Sequence, residues 1–356
     1  MRHNAVRHNA ARHNALRHLA ITSSLAAIAL SATVAASNSD LMVVKNYLLN
    51  QVSLQKTATA RLAVAASSYY AAAKAAGFDY SKLATPAVRK TLLEARAAWK
   101  SASPTYESVE GIVAGVEMLS LYDVNLDAGA SKSVGGDGIV TFDLKLPNGQ
   151  TLEKPGNLFG VTESTLWGTE QSYSSGKAFD VDGNGQLGFG DVLPEANVLK
   201  AGADKLDQVT GQLIATGKTW QPTTKDVVSA LQANVPTAAN VFIERWKTSR
   251  FVLGDQTKSR DFNVISSLND LEQNIGSWKT LYGGLSGAVK PKNAGLDAQI
   301  SVSLQGLKSW VVKLQAQENV KRFTKEQAEI IGKEAQNRAT AIVGKINQAA
   351  ALLGVK

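Results

Sequence analysis

Long amphipathic segments with few prolines dominate this sequence, and they restrict the chain to a helical fold. The first, residues 40–76, contains no proline and is rich in Ala, Leu, Lys and Gln, which are common in helices. The second begins with Thr85 as a cap and Pro86 in the first turn, and we expect it to pause at Pro104 and to resume through Asp123. Further helical patterns cover residues 194–217, 223–248, 262–282, 293–317 and 324–352.

Short polar links join these segments, and the last segment opens with Thr324 and Gln327 at the spacing of a capping box. Amphipathic helices joined by short links usually pack as bundles. We therefore predict an all-α fold of one helical bundle or of two in succession.

A glycine-rich stretch, residues 129–192, interrupts the helical pattern. Its segment GIVTFDLKLPNGQTLEK alternates apolar and polar residues around Asn148-Gly149, which predicts a small β-hairpin. Because helical patterns continue on both sides, we interpret this stretch as an insertion in a helical domain that spans residues 37–356.

The first 36 residues have the composition of a secretory signal peptide. RHNA repeats place arginines at positions 2, 7, 12 and 17, no acid precedes Asp40, and an apolar run follows from Leu19 to Ala35. A positive start, an apolar middle and small residues before Ala36 predict export with cleavage after that residue. A retained membrane anchor is the alternative, although the run is short and rich in Ala, Ser and Thr. The predicted location is the periplasm, the cell envelope or the extracellular space.

The composition of the processed chain restricts its chemistry to oxygen ligands. The sequence contains no cysteine, and its four histidines, His3, His8, His13 and His18, all lie in the predicted signal peptide. The processed protein would therefore offer no thiolate ligand, no imidazole base and no histidine-ligated zinc site. Four of the eight excess positive charges also lie in that peptide, and the remaining charge gives little basis for nucleic-acid binding.

Residues 180–191, DVDGNGQLGFGD, have the order of an EF-hand calcium loop. In such a loop, side-chain oxygens come from positions one, three, five and twelve, the seventh residue contributes a backbone carbonyl, and a glycine at the sixth permits the turn. The corresponding residues are Asp180, Asp182, Asn184, Gln186 and Asp191. The spacing predicts bound calcium.

The sequence around this loop favours one of three interpretations. The residues before it do not form a good helix, and the chain contains a single copy, whereas calcium sensors and docking modules generally use pairs. We therefore expect calcium to stabilise a loop of an exported protein, with a calcium switch or docking module and an empty turn as the alternatives.

A second group of acidic residues occupies AWKSASPTYESVEGIVAGVEMLSLYDVNLD, residues 98–127. Tyr106 and Glu110 are four residues apart, and Glu107 and Glu110 are three apart, so one face of a helix can carry all three side chains. Asp123 and Asp127 follow beyond the end of this helix. A solvated acidic face with Tyr106 half-buried is the simpler interpretation of the pattern.

This stretch resembles the imelysin family, and most of all its EfeO-type branch of periplasmic iron-uptake proteins. The matching residues of the first motif are Trp99, Tyr106, Glu107, Glu110, Asp123 and Asp127, with Gly111 where the family often has proline. A second family motif, GxHxxE followed by Leu-Trp, is similar to NLFGVTESTLWG, residues 157–168. Glu163, Leu166 and Trp167 match it, while Gly160 stands at the position of the histidine.

The resemblance implies two four-helix bundles, export and a role in metal uptake. It maps the family's metal site onto Glu107, Glu110 and Glu163, with Asp127 as a further candidate. Without the histidine a zinc peptidase loses a ligand, so we expect no enzymatic activity. Carboxylates and a tyrosine suit hard ions such as ferric iron, calcium or magnesium. The implied partner is an inner-membrane iron permease or another envelope component.

The leading hypothesis is a non-enzymatic exported protein that binds iron or another metal ion. The alternative is a structural, adhesion or polysaccharide-binding module of the envelope, stabilised by calcium, in which Trp246, Trp278 and Trp310 are candidate contacts. The core of its amphipathic helix is nevertheless the favoured place for each of these tryptophans. A hydrolase that uses two carboxylates is a third hypothesis, although no spacing here singles out a catalytic pair.

Overall fold

Two long helices begin the part of the chain that the structure, a computed structural model, describes, which is residues 36–135 and 138–355. Helix α1 spans Asn38–Ala75 and α2 spans Pro86–Val113. The Thr85 hydroxyl accepts the N–H of Val88 at 3.3 Å and caps α2 as predicted. The predicted signal peptide lies outside the described residues, apart from Ala36.

The predicted pause of the second helix at Pro104 is wrong, because α2 continues through this residue. A proline inside a helix removes one backbone hydrogen bond and strains the preceding turn. Ala102 and Ser103 before the proline and Tyr106 after it are all buried. We infer that this packing on both sides stabilises the helix enough to retain the proline.

Nine further helices complete the described part of the chain. They are α3 Ser120–Asp123, α4 Leu158–Trp167, α5 Ala196–Thr219, α6 Thr224–Asn234, α7 Glu244–Thr248, α8 Arg250–Leu253, α9 Ser267–Val289, α10 Ala294–Val320 and α11 Lys325–Leu353. A π-helical segment, Val124–Ala128, follows α3, and a second, Ala238–Ile243, precedes α7. The all-α bundle prediction is confirmed, and so is the capping box of Thr324 and Gln327 at the start of α11.

Helix α9 joins two groups of helices. It packs against α1 and α2, which contact each other, and α1 also contacts α5. Helix α9 also packs against α6, α10 and α11. The described residues form one compact unit. Residues on α2 and on α9 therefore meet in the interior, which is where the candidate site lies.

Two small antiparallel hairpins form in the glycine-rich insertion. Strand β1, Leu144–Lys145, pairs with β2, Thr151–Leu152, and Gly149 adopts a φ of +89° in the turn between them. This confirms the predicted hairpin. A second hairpin pairs β3, Ser174–Ala178, with β4, Val192–Pro194, so the acidic loop at residues 180–191 connects two strands.

The tryptophans proposed as surface contacts lie mainly in the core. Trp246 and Trp278 have no exposed surface, and Trp310 is half-buried, with the guanidinium of Arg338 over its ring at 5.2 Å. The surface interpretation is therefore wrong for the first two tryptophans. Among the described residues, none of the helices is both long and apolar enough to span a bilayer.

Candidate metal centre

Helices α2 and α9 approach each other closely at Gly111. A Cβ atom on this residue would lie 2.5 Å from Ser277 Oγ and 2.6 Å from the ring of Trp278, so only glycine permits this approach. Near this point, the Asn274 side-chain amide donates to Glu107 Oε2 at 2.8 Å and to Glu110 Oε2 at 2.5 Å. The close crossing thus lets a polar side chain of α9 reach the acidic face of α2.

Three of the predicted ligands meet at this crossing. Carboxylate oxygens of Glu107, Glu110 and Asp127 all lie within 4.8 Å of one another. Glu107 is 1% exposed, Asp127 is 2% exposed, and Glu110 is partly exposed. Tyr106 has no exposed surface, so the interpretation of this stretch as a solvated face is wrong. Buried carboxylates in such numbers require counter-charges or protons.

Two more carboxylates extend this group, which we call the acidic centre: Glu107, Glu110, Asp123, Asp127 and Asp270. The Tyr106 hydroxyl donates to Asp123 Oδ1 at 2.7 Å. Asp270, in the first turn of α9, is 2% exposed, and its charge acts on Glu107 and Asp127. Sequence reasoning missed Asp270, because an acid in the first turn of a helix usually has the ordinary function of stabilising the helix dipole.

Arg245 on α7 is the cation of this group. Its Nη2 lies 2.9 Å from Asp270 Oδ2, and its Nη1 lies 3.8 Å from Asp127 Oδ2. Its Nε donates to Ser267 Oγ at 2.9 Å, and the guanidinium lies over the ring of Phe262 at 3.6 Å. Sequence reasoning missed Arg245 as well, since basic residues in a helix are ordinarily solvated.

Burial changes the acidity of the centre. It raises the pKa of Asp123 to about 8, with help from the charge of Glu110. It raises the pKa of Asp270 to about 7, although Arg245 acts in the opposite direction. Burial also raises the pKa of Glu107 well above its usual value, and the charge of Asp270 adds to this effect. Burial raises the pKa of Asp127 in the same way, and here the charge of Glu110 adds to it. The centre therefore holds protons near neutral pH, and a bound cation would replace them.

Two oxygens of the centre lack a hydrogen-bond partner. Asp127 Oδ2 and Asp270 Oδ1 are buried without a donor. Both residues line a small cavity of about 10 Å³, together with Ser103, Glu163 and Phe262. That volume holds about one water or one bare ion. Oxygen ligands around such a cavity fit a hard cation, whereas a peptide or a chelated metal is far too large.

Glu163 faces the same cavity but has different partners. Its Oε1 accepts the backbone N–H groups of Asn263 at 2.7 Å and Val264 at 3.1 Å, and its Oε2 accepts that of Phe262 at 2.9 Å. Burial, with the charge of Asp261, raises the pKa of Glu163 to about 8. The structure therefore places this predicted ligand as an anchor of the loop at residues 259–264, outside the close group of Glu107, Glu110 and Asp127.

The same loop accounts for the glycine at the family's histidine position. A Cβ atom at Gly160 would collide with Asp261 Oδ2 and would lie 3.0 Å from Asn157 Oδ1. Asn157 caps α4, since its Oδ1 accepts the N–H of Gly160 at 2.7 Å. A side chain at position 160 therefore has no space unless the Asp261 side chain moves.

The acidic loop between β3 and β4 brings together three of its five predicted ligands. Oxygens of Asp180, Asp182 and Asp191 lie within 4.8 Å of one another. The other two residues are exposed, and Asn184 donates its amide to Asp182 Oδ2 at 2.9 Å.

Backbone groups of the same loop already contact all three carboxylates, and the N–H of Asn184 donates to Asp182 Oδ1 at 3.0 Å. Asp180 accepts the N–H groups of Gly183 and Gly185 at 2.7 and 3.0 Å. Asp191 accepts those of Val181 and Gly188 at 2.9 and 2.8 Å. The loop therefore has a defined turn of its own.

Comparison with known proteins agrees with this fold. The model of the imelysin family, Peptidase_M75, matches residues 44–353. A solved structure from Parabacteroides distasonis ATCC 8503, described as that of an iron-regulated protein A precursor, is similar with a TM-score of 0.55 and 14% sequence identity. The similarity covers 89% of this chain and 95% of that one. No curated protein matches the sequence. Because the family model covers most of the sequence, the chain belongs to the imelysin family.

Proposed function

We propose that this protein is an exported, non-enzymatic binding protein for a hard metal ion, with iron as its physiological ligand. The observation that carries the proposal is the pair of buried, unpartnered oxygens on Asp127 and Asp270 beside a cavity of about 10 Å³. An unsatisfied buried carboxylate is costly unless a cation or a proton completes it. A metal ion would satisfy both oxygens together.

Three further observations support iron and export. The chain resembles the EfeO-type branch of the imelysin family, which comprises iron-uptake proteins, and the similar structure is described as that of an iron-regulated precursor. The arginine-rich and then apolar start of the chain has the order of a signal peptide. The ligands of the acidic centre are oxygens, which suit ferric iron. An inner-membrane iron permease or another envelope component would receive the ion.

A binding function accounts for the centre better than peptidase activity. The cavity admits about one water or ion, so a peptide bond could reach the carboxylates only after a large rearrangement.

Metal analysis of the processed protein tests the proposal. The protein would be purified without a histidine tag from the export compartment of an expression host, then titrated with ferric nitrilotriacetate. We expect about one iron per chain, and its loss in Glu110→Gln and Asp127→Asn. Glu117→Gln, which changes an exposed residue outside the centre, serves as the control. Wild-type protein that takes up no iron, or variants that keep it, would contradict the proposal.

A calcium-stabilised structural, adhesion or polysaccharide-binding module of the envelope is the second candidate function. The grouping of Asp180, Asp182 and Asp191 in a loop with the EF-hand order supports it. In this case calcium binds the loop, and changes at Glu110 or Asp127 have no effect on any ligand. The iron titration above distinguishes the two candidates.

A further inference from the structure

The acidic centre contains more negative groups than positive ones. Within residues 36–135 and 138–355, Arg245 is the one basic residue that forms ion pairs with carboxylates of the acidic centre. One guanidinium thus faces five carboxylates, and protons must neutralise part of the remainder. This imbalance makes the position of Arg245 decisive for any cation that enters.

The contact of Arg245 with Asp127 is long. At 3.8 Å it lies at the edge of an ion pair, and Asp127 Oδ2 is left without a hydrogen bond. A metal ion approaches carboxylate oxygens much more closely, at about 2.0–2.6 Å. The guanidinium therefore bonds Asp270 Oδ2 at 2.9 Å but leaves Asp127 Oδ2 and Asp270 Oδ1 without a hydrogen bond.

Both residues of this long contact lie in or next to a π-helical segment. Asp127 lies in the π-helical segment Val124–Ala128, and Arg245 follows the segment Ala238–Ile243 almost directly. Such segments are rare and frequently occur at functional sites. Beyond the ion pairs, the guanidinium is supported from the sides, by Ser267 Oγ at 2.9 Å and the Phe262 ring at 3.6 Å.

We propose that Arg245 is the internal counter-cation of this centre, which an entering metal ion must displace from Asp127 and Asp270, so that Arg245 sets the affinity for the ion. The inference rests on the proposed metal-binding function. Displacement is possible because both carboxylates line the cavity, whereas Arg245 is not among the residues that line it. The ion is then bound reversibly, as a protein that passes its ligand to a permease requires.

A purely structural ion pair is the competing explanation for Arg245. It predicts that removal of the guanidinium weakens the fold and that the affinity for metal falls or stays the same. Displacement predicts the opposite change in affinity, because the metal no longer competes with a fixed charge a few ångströms away. The two explanations therefore predict affinity changes of opposite sign. A guanidinium that repels the ion without moving is distinguished from a displaced one by its NMR signal.

Ferric nitrilotriacetate titration of Arg245→Gln, Arg245→Lys and wild-type protein tests the inference. We expect Arg245→Gln to bind at least about tenfold more tightly than wild type, whereas Arg245→Lys, which keeps the charge, changes affinity much less. Arg250→Gln is the matched control, because Arg250 on α8 pairs with the exposed Asp255 outside the centre.

The outcomes separate this inference from the proposed function. Iron binding by wild type with equal or weaker binding by Arg245→Gln overturns the inference and leaves the function intact. No binding by either protein overturns both.

A measurement on wild-type protein covers the case in which Arg245→Gln does not fold. Gallium(III), a diamagnetic substitute for ferric iron, would be added while the Nε–Hε signal of Arg245 is followed by NMR. A displaced side chain loses its bond to Ser267 and its signal shifts on metal binding. A bound metal with an unchanged signal overturns the inference.

Discussion

The side-chain amide of Asn274 bridges Glu107 and Glu110, with Nδ2 at 2.8 Å and 2.5 Å from their carboxylate oxygens. These two acids lie on α2 and the asparagine lies on α9, so the bridge connects these two helices at the acidic centre. It also fixes the two carboxylates side by side, in the arrangement that an entering cation would meet.

Replacement of this bridge is expected to destabilise the protein. Asn274→Ala leaves two carboxylates without their common donor, which should lower the free energy of unfolding by about 1–3 kcal/mol. Urea denaturation of metal-free protein measures the change. Asn347→Ala, at an exposed asparagine of α11, should change stability by less than about 0.5 kcal/mol. Equal effects of the two variants would contradict the bridge.

The close approach of α2 and α9 predicts that Gly111→Ala is harmful. The added methyl would overlap Ser277 and Trp278, and overpacking of this kind costs about 1–3 kcal/mol. Gly344→Ala is the matched control, since this glycine of α11 has no neighbouring atom within 4 Å of a Cβ. There, alanine should raise stability by about 0.5–1 kcal/mol because it favours helix. Thermal denaturation should therefore give opposite signs for the two variants.

The acidic centre predicts that metal-free protein loses stability as the pH rises. Asp270 and Asp123, with pKa values of about 7 and 8, retain protons in the folded state that the unfolded chain releases above about pH 4. Their contribution to stability is complete below about pH 4, declines as the pH rises above that value, and is lost once the pH exceeds the folded-state pKa values of about 7 and 8.

Urea denaturation in EDTA at pH 5.5 and pH 8.5 measures this dependence. We expect the free energy of unfolding to be lower at pH 8.5 by at least about 1 kcal/mol. Asp270→Asn should reduce the difference, because an amide does not titrate. A wild-type protein that is more stable at the higher pH would exclude a protonated centre.

Calcium is expected to stabilise the loop between β3 and β4. At saturating calcium the stabilisation should be about 2–4 kcal/mol, and Asp182→Asn should abolish most of it. Asp204→Asn, which changes an aspartate that pairs with Lys200 on the surface of α5, should keep the full effect. Calorimetric melting with calcium and with EDTA makes the comparison. No calcium-dependent change in wild type would favour the empty turn.

Whether position 160, the family's histidine position, tolerates a side chain should depend on Asp261. Gly160→His alone is expected to destabilise the fold by more than about 2 kcal/mol, since its Cβ meets the Asp261 carboxylate. Asp261→Gly should recover much of this loss in the double variant. Urea denaturation of the two single variants and the double variant gives the coupling energy, which is expected to exceed about 0.5 kcal/mol. Additive effects would show that Asp261 does not exclude the side chain.

Much of the fold follows from local patterns in the sequence. The helices α1, α5, α10 and α11 and the hairpin at Asn148-Gly149 lie where periodicity and turn residues predict them, because these signals act over a few residues. The spacing on α2 likewise places Glu107 and Glu110 on one face. Pro104 is the exception, since tertiary packing there outweighs the local preference of the proline.

Tertiary structure alone decided which side chains complete the centre. Asn274 and Asp270 lie more than 150 residues along the chain from Glu107, the first acid of the centre, and Arg245 is nearly as far away. Nothing in the sequence around these three residues indicates that they face the acidic centre. The same holds for Glu163, whose partners at residues 262–264 come from a distant loop. Helical periodicity is a property of neighbouring residues, so it determined which residues share a face. The approach of α2 to α9 then determined what each face meets, because burial and charge depend on contacts that only the folded chain makes.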